Sequence, residues 1–186
     1  QGFTRPVNAI AAGSAYGLAR LDDNSLVAWG ANRYGTLGDA TVTTNNGAGI
    51  PTSRPTPGPV TNLANVVEFS AGFGYAIARR GDGTVWAWGL NNRGQTGLAT
   101  TSTTCGRNGD RPCVRDPQRL VARDGAIRLA AGGAHTITVR PGGAIDAFGD
   151  NGVGQLGNTS GNFGVILDPI SKARFNQSVY DPDGDL

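Results

Sequence analysis

Cys105 and Cys113 are the only thiols in a chain of 186 residues, and they flank the polar stretch Gly106-Arg107-Asn108-Gly109-Asp110-Arg111-Pro112. Two thiols closing a loop that contains glycine and proline are placed for oxidation. A zinc site needs further ligands, which this loop lacks. A redox pair is normally closer, as in Cys-x-x-Cys. The pair therefore reads as a Cys105–Cys113 disulfide, and a structural disulfide implies an oxidising compartment, extracellular or at the cell surface. Asp181, Asp183 and Asp185 alternate near the end of the chain. Oxygen ligands alternate in this way in the first half of a calcium loop. The downstream bidentate acid is missing, so the three form only a weak calcium candidate, and a polar tail is the plainer reading.

Other reactive side chains are scattered. His135 is the sole histidine and Glu68 the sole glutamate. Glu68 and Asp146 fall in strand-like runs. No Ser-His-acid set can be drawn with spacing support, and no phosphate-cradling glycine loop precedes a helix. The residues point to a protein that is not an enzyme and needs no cofactor or metal.

The elements that carry these residues form a repeat. Gly13, Gly72 and Gly132 are 59 and 60 residues apart. Trp29-Gly30, Trp88-Gly89 and Phe148-Gly149 keep the same step, as do Asn32, Asn91 and Asn151. So do Gly35 and Gly38, Gly94 and Gly97, and Gly154 and Gly157. A fixed period of this length marks a repeat architecture. Within a copy, short apolar runs such as Tyr75-Ala76-Ile77-Ala78 and Val85-Trp86-Ala87-Trp88 are separated by Gly81-Asp82-Gly83, which reads as antiparallel strands and tight turns. The recurring asparagines suit a corner in which the side chain bonds nearby backbone.

The chain is expected to form a single repeat domain over 1–186. Its repeats run approximately 9–65, 66–125 and 126–170, with a polar tail at 171–186. Long connections, Asp39 to Pro59 and Leu98 to Pro117, are the expected places for partner contacts. The net charge of +2 is too small to argue for nucleic acid by field alone. Six arginines between Arg107 and Arg128 are interleaved with Asp110, Asp116 and Asp124, without aromatic residues to stack bases. No apolar run is long enough to insert in a membrane. The chain starts at Gln1 and contains no methionine, which reads as a processed or excised piece.

The phrase Ala71-Gly72-Phe73-Gly74-Tyr75, then Asp82-Gly83-Thr84-Val85-Trp86-Ala87-Trp88-Gly89, then Asn91-Asn92-Arg93-Gly94-Gln95-Thr96-Gly97 resembles the repeat of the regulator-of-chromosome-condensation family. The family's histidine is replaced by Tyr16 and Tyr75 and kept only as His135, a packing or turn-bonding position. The resemblance implies an all-β fold of β-propeller blades, each a four-stranded antiparallel sheet. Three copies imply an open or partial propeller, since the family usually has seven blades. The arginine-rich basic residues suggest a bacterial source, and the expected disulfide a secreted member. The expected function is a non-enzymatic binding or structural module outside the cell or on its surface, whose blades are the scaffold and whose loops and open strand edges engage protein partners, by self-association or within a larger assembly such as a surface fibre. The resemblance leaves two alternatives: a guanine-nucleotide exchange factor for a small GTPase, and a secreted enzyme inhibitor.

Overall fold

In a computed structural model, which describes residues 3–40, 53–99, 103–106 and 109–157, the chain folds into three antiparallel sheets and a single 3-10 turn at Val121–Arg123. The first sheet runs in the order β1 (Val7–Ala12), β2 (Tyr16–Leu21), β3 (Leu26–Ala31), β4 (Ser53–Pro59). The second contains β5 (Val66–Ala71), β6 (Tyr75–Arg80), β7 (Val85–Leu90), β8 (Thr104–Cys105) and β9 (Arg111–Arg119), in the order β5-β6-β7-β9-β8. The third contains β10 (Arg128–Ala131), β11 (His135–Val139) and β12 (Ile145–Gly149). The fold is all-β, and the three described blades do not close into a ring. The third blade shows three strands among the described residues, and the expected fourth strand and the tail at 171–186 fall outside them.

The hairpins are built by side chains acting on their own backbone. Asp23 Oδ1 accepts from Ser25 N at 3.0 Å, and Asp82 Oδ1 accepts from Thr84 N at 3.0 Å. Hydrogen bonds from the Ser25 and Thr84 hydroxyls hold both carboxyls below the usual carboxylate range. These turns join β2 to β3 and β6 to β7.

Two stretches expected as connections are partly strand. Ser53–Pro59 pairs with β3 through Val27↔Pro59, Ala28↔Gly58, Gly30↔Arg54 and Ala31↔Ser53. Proline is tolerated there because β4 is an outer edge strand, where a missing N–H faces away from the sheet. In the second blade, Arg111–Arg119 pairs with β7 in the same way, and β8 adds a short fifth strand that the four-stranded expectation did not include.

The blades meet through their faces. Leu18, Leu26, Ala28 and Leu37 of the first blade pack against Val66, Ala76, Ala78 and Trp88 of the second. On the other face of the second blade, Ile77, Val85 and Ala87 meet Leu129 and Phe148 of the third. Strand alternation explains this division: in β6, Ala76 and Ala78 point one way and Ile77 the other.

Candidate functional site

Each repeat ends in a corner folded round one asparagine. Asn32 Oδ1 accepts from Leu37 N at 3.0 Å, Asn91 Oδ1 from Thr96 N at 3.1 Å, and Asn151 Oδ1 from Leu156 N at 3.0 Å. The three asparagines are 2–3% exposed, so their side chains are committed to the corner. Gly35, Gly38, Gly94, Gly97, Gly154 and Gly157 lie in the same corners with φ between 62° and 82°. Just before each corner, Gly30, Gly89 and Gly149 have φ of 101°, 101° and 110°. A Cβ on any of these three would stand 2.5–2.6 Å from the carbonyl oxygen of Ala15, Gly74 or Ala134. Gly13, Gly72 and Gly132 lie against the rings of Tyr16, Tyr75 and His135, where a Cβ would fall 2.0–2.2 Å from a ring atom.

The corners are also where one blade grips the next. Trp88 is wholly buried, its ring against Gly38, and its Nε1 donates to the Thr36 carbonyl at 3.0 Å. One blade on, the Phe148 ring lies against Gly97. Phenylalanine has no N–H to give, and the corresponding carbonyl, that of Gln95, is satisfied by Thr136 Oγ1 at 2.7 Å. A second series of bonds crosses the same junctions. The Tyr16 hydroxyl donates to the Tyr75 carbonyl, and the Tyr75 hydroxyl to the His135 carbonyl. Burial pushes both phenols well above their ordinary value, which keeps them protonated donors. His135 is third in this series. Its imidazole is half-buried, and that burial lowers its pKa against the opposing pull of Asp150.

Both ends of the described strip display an unused half of the grip. Trp29 holds the place of Trp88 in the first blade but is only half-buried, with Phe3 edge-on at 5.7 Å. Its indole N–H has no partner among the described residues. Ile10 is 76% exposed, whereas Phe69 and Leu129 at the same place in the next copies pack into the junctions. At the other end, a Cβ on Gly157 would meet no described residue within 4 Å, where Gly38 and Gly97 are covered by rings.

Cys105 and Cys113 form a disulfide with Cα atoms 5.8 Å apart. The bridge packs against Tyr34 of the first blade, and Gly106 N donates to the Arg33 carbonyl at 3.1 Å. The second blade's loop is thus tied back to the first blade's corner. Replacing both cysteines with serine is expected to lower stability by roughly 2.5 kcal/mol. The shift in urea midpoint against the oxidised chain, at unchanged m-value, measures it.

The scattered acids turn out to be structural links that the sequence reading missed. Glu68 Oε1 accepts from Leu129 N of the third blade at 3.1 Å, while its Oε2 pairs with Arg79 Nε at 3.0 Å. Ser70 Oγ accepts from Ala131 N at 3.0 Å beside it. The available signal was that Glu68 is an acid where the other copies have Ala9 and Arg128. Asp146, with its side chain 3% exposed, pairs with Arg140 at 2.5 Å and lies 3.9 Å from Arg123. The described arginines of the 107–128 stretch do not form one patch. Arg119 pairs with Asp124 at 2.6 Å, Arg111 with Asp110 at 3.8 Å, and Arg115 donates to the Thr104 carbonyl at 3.3 Å. Among the described residues, no three His, Cys, Asp or Glu side chains gather as a metal site. Asp181, Asp183 and Asp185 lie outside those residues. No helix among them is long and apolar enough to cross a membrane.

Comparison with known proteins places this geometry. Residues 7–36 and 66–95 match one profile of the regulator of chromosome condensation (RCC1) repeat, and residues 82–139 match a second. The human probable E3 ubiquitin-protein ligase HERC3 is 31% identical over 155 residues, covering 82% of this chain and 13% of that protein. Yeast RCC1 (Prp20), solved bound to Kap60, has a TM-score of 0.70 at 23% identity, covering 89% of this chain and 37% of that one. Prp20p from Saccharomyces cerevisiae, described with its binding properties to Gsp1p and histones, has a TM-score of 0.70 at 22% identity, with coverage of 89% and 38%. At these identities the solved structures show a shared fold. The chain spans well under half the length of each of these relatives.

Proposed function

Because this chain belongs to the regulator of chromosome condensation (RCC1) repeat family, we propose that it is a non-catalytic protein-binding scaffold whose open blade faces are completed by a second copy of itself. The observation that carries this reading is the grip used twice among the described residues and left half-made at both ends of that described strip. Trp88 enters the corner ending at Gly38, and Phe148 the corner ending at Gly97. Among the described residues, Trp29 has no corner to enter and Gly157 has no ring against it. The two surfaces are complementary and different, so copies join head to tail, as a ring or an open string according to the rotation between them. Face-to-face burial drives the association; pairing of free strand edges is not how the blades inside the chain are joined. Trp29→Ala is expected to shift the chain from multimer to monomer in sedimentation velocity while leaving its far-UV circular dichroism unchanged. An unchanged multimer contradicts the head-to-tail grip.

The disulfide supports a location outside the cell or on its surface. Alkylation of protein recovered from its source without reductant tests this: two blocked bridging cysteines support it, and two alkylated ones contradict it. The exchange-factor alternative draws on the likeness to Prp20p. Binding of Gsp1p together with accelerated nucleotide release from it would favour that alternative over the scaffold.

A further inference from the structure

A cleft of about 380 Å³ opens at the junction of the first and second blades, between the Asn32–Gly38 corner and the turn from β5 to β6. Its walls include Tyr34, Phe73 and Gly74, with Ser14 and Arg33 at its margin. The repeat allows architecture to be separated from individuality here, because each wall position has two counterparts elsewhere in the chain. Tyr34 corresponds to Arg93 and Val153. Phe73 corresponds to Ser14 and Gly133. Gly74 corresponds to Ala15 and Ala134. The blade design therefore needs none of these residues.

All three departures meet at one junction, and they fit one another. A Cβ on Gly74 would stand 2.8 Å from the Tyr34 ring, so the alanine of the other copies could not share this space with the tyrosine. Phe73 is 55% exposed, an apolar ring left in water at a place where the other copies have a small residue. The disulfide loop closes the far side of Tyr34: a Cβ on Gly106 would lie 3.4 Å from both the Tyr34 ring and the Arg111 side chain. Arg33 is exposed and makes no ion pair with a described residue. The Tyr34 hydroxyl likewise has no hydrogen-bond partner among them.

The geometry points to a peptide-binding cleft that takes a bulky apolar side chain of a partner polypeptide between Tyr34 and Phe73, with a carboxylate of the same segment against Arg33. The volume suits one large side chain and its backbone. Aromatic walls bearing a polar handle are a common way to anchor such a residue. The exposed guanidinium selects an acidic neighbour, since a planar fork binds carboxylate in two-point fashion. This deepens the reading of the chain as a binding scaffold and rests on it.

The probe is the peptide acetyl-Gly-Phe-Asp-Asp-Gly-amide, titrated to millimolar concentration into the oxidised chain and followed by backbone amide shifts. Shifts are expected at Ser14, Tyr34 and Gly74, and affinity is expected to fall about tenfold or more in Phe73→Ala. Arg33→Glu is expected to reverse the preference toward a probe with lysines in place of the aspartates. Absence of shifts with the unmodified chain, shifts scattered over all three blades, or equal affinity in Phe73→Ala would each overturn the assignment. Phe73 and Arg33 are exposed, and two variants guard against the loss of either fold. The solution mass of the same samples separates this test from that of the scaffold, since neither variant touches the end faces.

Discussion

Trp88→Ala is expected to lower the stability of the chain by about 3–5 kcal/mol, more than any other single truncation of a side chain here. Trp88 is the largest wholly buried side chain. It lies in the core shared by the first two blades, beside Leu18, Leu26, Leu37 and Val66. Truncation leaves a cavity that two rigid sheets cannot close. It also strands the Thr36 carbonyl, which the indole N–H satisfies at 3.0 Å, and a buried acceptor without a donor costs about 1–3 kcal/mol. Trp88→Phe separates the two effects. Phe148 shows that a phenyl ring fits the same place one blade on, but there Thr136 supplies the missing hydrogen bond. Ala76 stands where Thr136 does, so it cannot. The phenylalanine variant should lose mainly the hydrogen-bond share. Urea unfolding followed by circular dichroism reads both. A loss below 1 kcal/mol for alanine would contradict the junction described.

The second large effect is expected at Gly89. Gly89→Ala should cost about 3 kcal/mol or more, because the backbone has φ of 101° and the added Cβ would stand 2.5 Å from Gly74 O and 2.5 Å from Tyr75 Cα. Both obstacles are backbone, held by the bond from Leu90 N to Gly74 O at 2.8 Å, so neither can swing aside. Gly152→Ala is the control. Its nearest neighbours would be Asp150 carboxylate oxygens at 3.7 and 3.8 Å, and it is expected to change stability by no more than about 0.5 kcal/mol. Similar thermal midpoints for the two variants would mean that the repeated glycine is not required by its geometry.

Much of the architecture was legible because the repeat holds its residues in step. Gly30, Gly89 and Gly149 stay at one spacing since one backbone shape is made three times, and Asn32, Asn91 and Asn151 stay with them since each closes the same corner. What was not legible had lost that regularity. β4 is written Ser53-Arg54-Pro55-Thr56-Pro57-Gly58-Pro59, and its prolines signal a loop unless the strand is known to be an edge. The links from Glu68 to Leu129 N and from Ser70 to Ala131 N join residues 61 positions apart, which no local pattern encodes. The docking of the Cys105–Cys113 loop on Tyr34 depends on two blades being side by side. Tyr34, Phe73 and Gly74 each look like tolerated variation in a repeat, and only their meeting at one junction gives them a common purpose. In this chain the shared residues build the blades, and the departures from the repeat are where individual chemistry collects.

The central claim is that the two ends carry complementary halves of one grip. It is tested most directly by the solution mass of the oxidised 186-residue chain, measured by size-exclusion chromatography with light scattering over a range of concentrations. The account predicts a mass that rises with concentration in multiples of 19.1 kDa. A mass fixed at 19.1 kDa at every concentration, with one sharp unfolding transition, would contradict it.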